Sequence, residues 1–181
     1  MAEVHRSVVN FFCSQLGSGT ALGKAGAGQE WVADKVIAEF AQALLKRGNR
    51  LQLKNAGRAF AEVVLSDMNA KYDYDSVQDA ISLLPKVFTH YLRGDGAGIW
   101  KTDSISPGYV CLRENIPFDC FFTEGLLVGL LQRLGAAGAV VHHKDCREED
   151  PKAKFCVYDL KWMRSNLSGR PAAPETKKPR A

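Results

Sequence analysis

Apolar residues recur at helical spacing through the first half of the chain and at strand spacing through much of the second. Val4, Val8, Phe11 and Phe12 predict an amphipathic helix over Glu3 to Leu16. Residues Gly17 to Gly28 are rich in Gly and Ala and read as a loop. Val32, Val36, Phe40 and Leu44 recur every fourth residue, with Ile37 and Ala41 beside them, and predict a helix over Gln29 to Arg47 stopped by Gly48. A third helix, from about Lys54 to Lys71, would bury Phe60, Val63, Val64 and Met68. A fourth, Val77 to Leu92, is capped by Asp75 or Ser76 and carries Asp79 near its positive end. Pro85 predicts a kink or a break into two pieces.

The pattern changes after Gly98. Ile99 to Thr102 and Gly108 to Arg113 read as strands joined by a Ser/Pro/Gly turn. An apolar helix opens at Cys120 and ends at Gly135. Two more strands follow, Ala139 to His143 leading into Cys146, and Phe155 to Trp162. Residues 147–154 are polar apart from Pro151 and Ala153 and read as an exposed hairpin loop. The expected class is α+β, a four-helix layer packed on a small antiparallel sheet with one inserted helix. The expected organisation is one domain over residues 1–164 and a disordered basic tail over 165–181, where Arg170, Lys177, Lys178 and Arg180 face only Glu175.

Composition narrows the function classes. Net charge is +4 and sits mostly in the tail, so the body lacks the basic face of a nucleic-acid binder. No apolar run reaches the roughly 20 residues that a membrane span needs. The start, Met-Ala-Glu-Val-His-Arg, lacks the pattern of a signal peptide. Five cysteines without the dense spacing of a disulfide framework point to a reducing compartment, hence a cytoplasmic protein.

The Gly-rich run Gly17 to Ala25 fails as a phosphate loop: it has one residue too many between Gly17 and Gly23, and Ala25 where Ser or Thr is needed. Gly125 and Gly129 allow another backbone to approach their helix closely. No Ser/His/Asp arrangement stands out, so the inventory favours a binding protein over an enzyme. Cys13 and Cys111 read as small core residues. Trp31 and Trp162 read as core anchors, whereas Trp100 opens the sheet beside the helices, where a pocket could form. The candidate chemistry is the set Cys120, His143, Cys146 and Cys156, thiol and imidazole ligands of the type tetrahedral zinc takes.

Residues 120–162 resemble the 4-vinyl-reductase domain, of a superfamily that includes aromatic-sensing bacterial regulators and the TRAPP vesicle-tethering subunits. The resemblance rests on the apolar helix with Gly125 and Gly129, the turn at Gly135, the strand into Cys146, and Cys156 with its apolar strand. In the phenol-sensing relatives three Cys and an acidic residue hold zinc; the Cys match Cys120, Cys146 and Cys156, and the acidic position falls at His143. Trp100 falls one position from an aromatic pocket residue of those sensors.

The resemblance implies a structural zinc, a small apolar ligand near Trp100, and a homodimer through the helical face. It also implies a stand-alone sensor that acts through a protein partner. A TRAPP-like tethering subunit and a tetrapyrrole vinyl-group reductase are the alternatives. Because the tail holds almost no apolar surface, its removal should leave the melting temperature unchanged in a thermal melt; a drop of several degrees would show that it docks.

Overall fold

The computed structural model describes residues 2–16, 29–46, 48–147, 149–150 and 152–165. The Gly-rich run and the basic tail beyond Ser165 lie outside these residues. The helices are α1 (Arg6–Leu16), α2 (Lys35–Lys46), α3 (Arg50–Lys71), α4 (Val77–Ser82), α5 (Leu84–Phe88) and α6 (Cys120–Arg133). The strands are β1 (Glu3–His5), β2 (Trp31–Ala33), β3 (Leu92–Arg93), β4 (Trp100–Ser106), β5 (Tyr109–Glu114), β6 (Ala136–Ala137), β7 (Val140–Asp145), β8 (Cys156–Lys161) and β9 (Arg164–Ser165).

The α+β class holds, but the helical part is not four plain helices. The ends of two expected helices are strands instead: Glu3–His5 and Trp31–Ala33 pair with each other and with Leu92–Arg93 in a sheet ordered β2-β1-β3. The predicted fourth helix is two pieces. Ser76 caps α4 by accepting from the Asp79 N–H at 3.0 Å, and Pro85 sits in the first turn of α5, where its missing N–H costs nothing. The main sheet is antiparallel and ordered β4-β5-β8-β7.

Helix α6 lies between the helices and this sheet. Its face toward α3 is set by glycine. A Cβ built at Gly125 would lie 2.0 Å from the Lys54 carbonyl oxygen, and one at Gly57 would lie 2.0 Å from that of Phe122. At Gly129 it would meet the Ala61 Cβ at 2.8 Å. The two helix backbones are therefore in direct contact, as Gly125 and Gly129 predicted, with Gly57 as an additional member. Lys54 closes one edge of the seam by an ion pair to Glu124 at 2.7 Å.

The opposite side of α6 packs into an aromatic core. Phe122 meets Phe12 at 4.7 Å, Phe118 at 5.3 Å and Phe60 at 5.7 Å between ring centroids. Beneath them the strands present one face inward: Val110, Leu112 and Glu114 from β5, and Cys156, Tyr158 and Leu160 from β8.

Gly125→Ala should destabilise the protein by about 3 kcal/mol or more, because backbone must move and no side chain can give way. Gly48→Ala, where a Cβ meets nothing within 4 Å but φ is +75°, should cost only about 1 kcal/mol. Urea unfolding of the two variants checks the contrast.

Candidate functional site

The chemistry-bearing side chains gather where α6 begins. Asp119 ends the turn before it and caps the helix by accepting from the Phe121 N–H at 2.8 Å. This fixes Cys120 as the first helical residue, only 2% exposed. Strand β7 runs antiparallel to β8 and delivers His143 and Cys146 to the same point. The ligand atoms of Cys120, His143 and Cys146 all lie within 4.8 Å of one another, and the Cys146 thiol points at Cys120 Sγ at 3.7 Å. The His143 ring stacks on Tyr158 at 4.4 Å.

Cys156 does not join that set. It lies on β8 opposite Glu114, fully buried and outside the cluster. Burial, with the Glu114 charge next to it, pushes the thiol up to about 12.

Glu114 is the group that sequence reasoning passed over. It is fully buried, and burial pushes its carboxyl up to about 7. The opposing effects come from Arg147 and from hydrogen bonds donated by the Ile116 N–H and the Tyr158 hydroxyl. Strand parity was the available signal: Glu114 falls in step with Val110 and Leu112, so it faces the core. Arg147, expected in an exposed loop, instead folds back and donates to the carbonyls of Ile116 and Phe118, at 2.5 Å and 3.1 Å. No periodic pattern marked it.

Trp100 lies elsewhere, at the start of β4 and 5% exposed. Its ring packs on Phe88 at 5.1 Å. It lines a cavity of about 180 Å³ with Pro85, Phe88, Leu92, Ile99 and Ile116. Its indole Nε1 is shielded from solvent and has no hydrogen-bond partner. The loop below is pinned by Gly98, with φ of +76°, where a Cβ would meet the Asn115 carbonyl oxygen at 2.5 Å. The Trp100 cavity and the Cys120 cluster are thus separate features.

No family profile matches the sequence, and no curated protein does. Solved structures do share the fold. An H-NOX protein from S. oneidensis in the Fe(II)NO ligation state superposes with a TM-score of 0.64 at 18% identity, covering 88% of this chain and 97% of that one. A point mutant of the T. tengcongensis H-NOX protein gives 0.62 at 12% identity, over 88% and 96%. A further H-NOX structure, from work on heme distortion, gives 0.62 at 12%, over 88% and 93%. The chain has the H-NOX fold.

This corrects the 4-vinyl-reductase resemblance, and with it the TRAPP-like and vinyl-reductase alternatives. The motif that carried the resemblance describes a glycine-spaced helix packed against a two-stranded hairpin. In this chain the spaced glycines mark a close helix–helix contact. Zinc as the cofactor is corrected too. The neighbours are named for iron ligation and heme, and of the four expected ligands Cys156 lies outside the cluster that the other three form.

No histidine or buried phenol among the described residues is placed to hold a heme. It requires an axial side chain aimed into an apolar cavity. All four histidines of the sequence are described, and none enters the aromatic core. His5 bonds to Ser7, His90 is exposed beside the Tyr72 hydroxyl, His142 is exposed, and His143 stacks on Tyr158. The buried phenols are engaged: Tyr91 donates to Asp67, Tyr158 donates to Glu114, and burial raises both well above the ordinary tyrosine value.

The Glu114 shift sets a pH dependence. Between its ordinary value near 4.5 and about 7, the folded chain holds a proton that the unfolded chain has released. Stability should therefore fall as pH rises through that window, by on the order of 2–3 kcal/mol. Glu114→Gln should flatten the dependence and be the more stable form at pH 8, measured by urea midpoints at pH 5 and pH 8.

Proposed function

We propose that this chain is a small-molecule sensor domain of H-NOX fold that binds its ligand without heme, in the Trp100 cavity. H-NOX domains are heme-based NO and O2 sensors, and what passes to this chain is the sensing role on a shared scaffold. The observation that carries the reading is the unpartnered indole N–H of Trp100 beside an apolar cavity. A buried donor without an acceptor costs on the order of 1–3 kcal/mol, and a ligand oxygen would recover it. A cavity of about 150 Å³ accommodates benzene, so the ligand is ring-sized. It has an apolar body and one acceptor oxygen, as in a phenol or a cyclic ketone.

Signalling would follow from position. The cavity is walled by α5 on one side and by the segment from Ala97 to Trp100 on the other. A ligand there favours one setting of α5 against β4, shifting a population between two arrangements that a partner protein reads. Homodimerisation through the helical half belongs to the same proposal. Leu51 and Val63 of α3 are exposed and support it, whereas Ala41 is already buried in the chain's own second core cluster with Leu53.

The test follows the Trp100 indole N–H resonance by NMR during titration with phenol, cyclohexanone and benzene. Phenol or cyclohexanone should shift it and bind about tenfold more tightly than benzene, the worth of one hydrogen bond. Trp100→Phe should erase that preference. An indole resonance unmoved by all three at millimolar concentration would defeat the reading. Protein purified with added hemin should show no Soret band; a stoichiometric band would replace this proposal with a heme-based one.

A further inference from the structure

A cleft of about 590 Å³ opens between α2 and the turn that precedes α6. One wall is a single face of α2 with the residue before it: Asp34, Ala38, Ala41, Gln42 and Leu45 recur at helical spacing. The other wall is formed by Pro117, Phe118, Asp119 and Arg147. The cleft shares no lining residue with the Trp100 cavity.

Arg147 makes this cleft more than a gap between elements. Its guanidinium is anchored through Nη2 alone, which donates to the carbonyls of Ile116 and Phe118. Among the described residues it forms no ion pair. The buried Glu114 feels its charge without bonding to it. A planar fork held by one nitrogen keeps its Nη1 and Nε donors for a carboxylate, the partner that its geometry matches best.

The acids of the cleft decide which anion fits. Asp34 stands at the start of α2, where its carboxylate accepts from the Lys35 N–H at 2.8 Å. Asp119 caps α6 in the same way. Two carboxylates against one guanidinium leave the cleft net negative, which disfavours a phosphate dianion. A molecule that carries one carboxylate and one ammonium is matched instead. Its carboxylate meets Arg147 on one wall, its ammonium meets Asp34 on the other, and its apolar body lies against Ala38, Ala41 and Leu45.

We propose that this cleft is a second ligand site, which takes an amino acid with an apolar side chain. The bound molecule bridges the two walls through its opposite charges, and so ties α2 to the turn before α6. The site is independent of the Trp100 cavity, and either stands without the other.

The experiment titrates the isotope-labelled protein with L-leucine and with two analogues that each lack one charge, isocaproate and isoamylamine, and follows the amide and indole resonances by NMR. Leucine should shift the amides of Ala38, Gly96 and Asp119 and leave the Trp100 indole unmoved. Each analogue should bind about tenfold more weakly, for want of one charge-assisted contact. Asp34→Asn, which keeps the helix cap, should weaken leucine about tenfold and leave isocaproate unchanged. Arg147→Lys should weaken leucine and isocaproate alike. If that variant fails to fold, Asp34→Asn and the two analogues decide. Amides unmoved by leucine at millimolar concentration, an analogue that binds as tightly as leucine, or displacement of leucine by inorganic phosphate would each overturn the proposal. The indole resonance reports on the Trp100 cavity separately, so failure of one site is told apart from failure of the other.

Discussion

The contact on which the rest of this structure depends is backbone against backbone, where α3 meets α6. Gly57, Gly125 and Gly129 remove the side chains that would hold the two helices apart, to the point that a single methyl group has no room. Close approach has a consequence for the site. It places α6 deep in the molecule, so that Cys120 starts a helix that is already immobilised along its length. The strand end that carries Cys146 then meets a fixed target. Asp119 and Arg147 complete the arrangement, one by capping α6 and the other by tying the loop after β7 to the carbonyls of Ile116 and Phe118.

The interior explains why a shared fold need not mean a shared cofactor. Tilted and edge-on rings from α1, α3, α5 and α6 and from the turn before α6 fill the space between the helices and the sheet. Packing of this kind supplies by side chains what a large prosthetic group would otherwise supply by its own apolar faces. The chain has the architecture of the H-NOX proteins it resembles. Glu114 is the clearest sign: a carboxyl at the centre of a sheet, shared among two strands and a turn, is a costly feature that core packing alone would not call for.

Much of this was legible in the sequence, for identifiable reasons. Period-four apolar spacing located α2, Pro85 divided α4 from α5, and alternation located β5 and β8. The spaced glycines of α6 announced a close neighbour. Three residues of the Cys/His set meet as spacing suggested, because a strand ending at a helix start is a local geometry. The failures have physical causes as well. Strands β1 and β2 are three residues long and run into helices without a break, so helical periodicity absorbed them. Cys156 was drawn into the wrong company because its partner, Glu114, lies on a strand distant in sequence. Arg147 sits in a polar run, where nothing separates a residue that returns to the core from its solvated neighbours. The family resemblance failed because a short packing motif recurs wherever a glycine-rich helix lies on a hairpin.

The small sheet β2-β1-β3 bears on how the chain assembles during its synthesis. Its central strand pairs Val4 with Val32 on one side and with Leu92 on the other. On a ribosome, β1 emerges long before its second neighbour exists, and one edge of it stays open through the making of the five described helices α1 to α5. Such an edge is a place where a nascent chain can pair wrongly or recruit a chaperone. Closure of β1 against β3 needs Leu92 and Arg93, so the small sheet is completed only once α5 has been made, and the helical half still awaits α6.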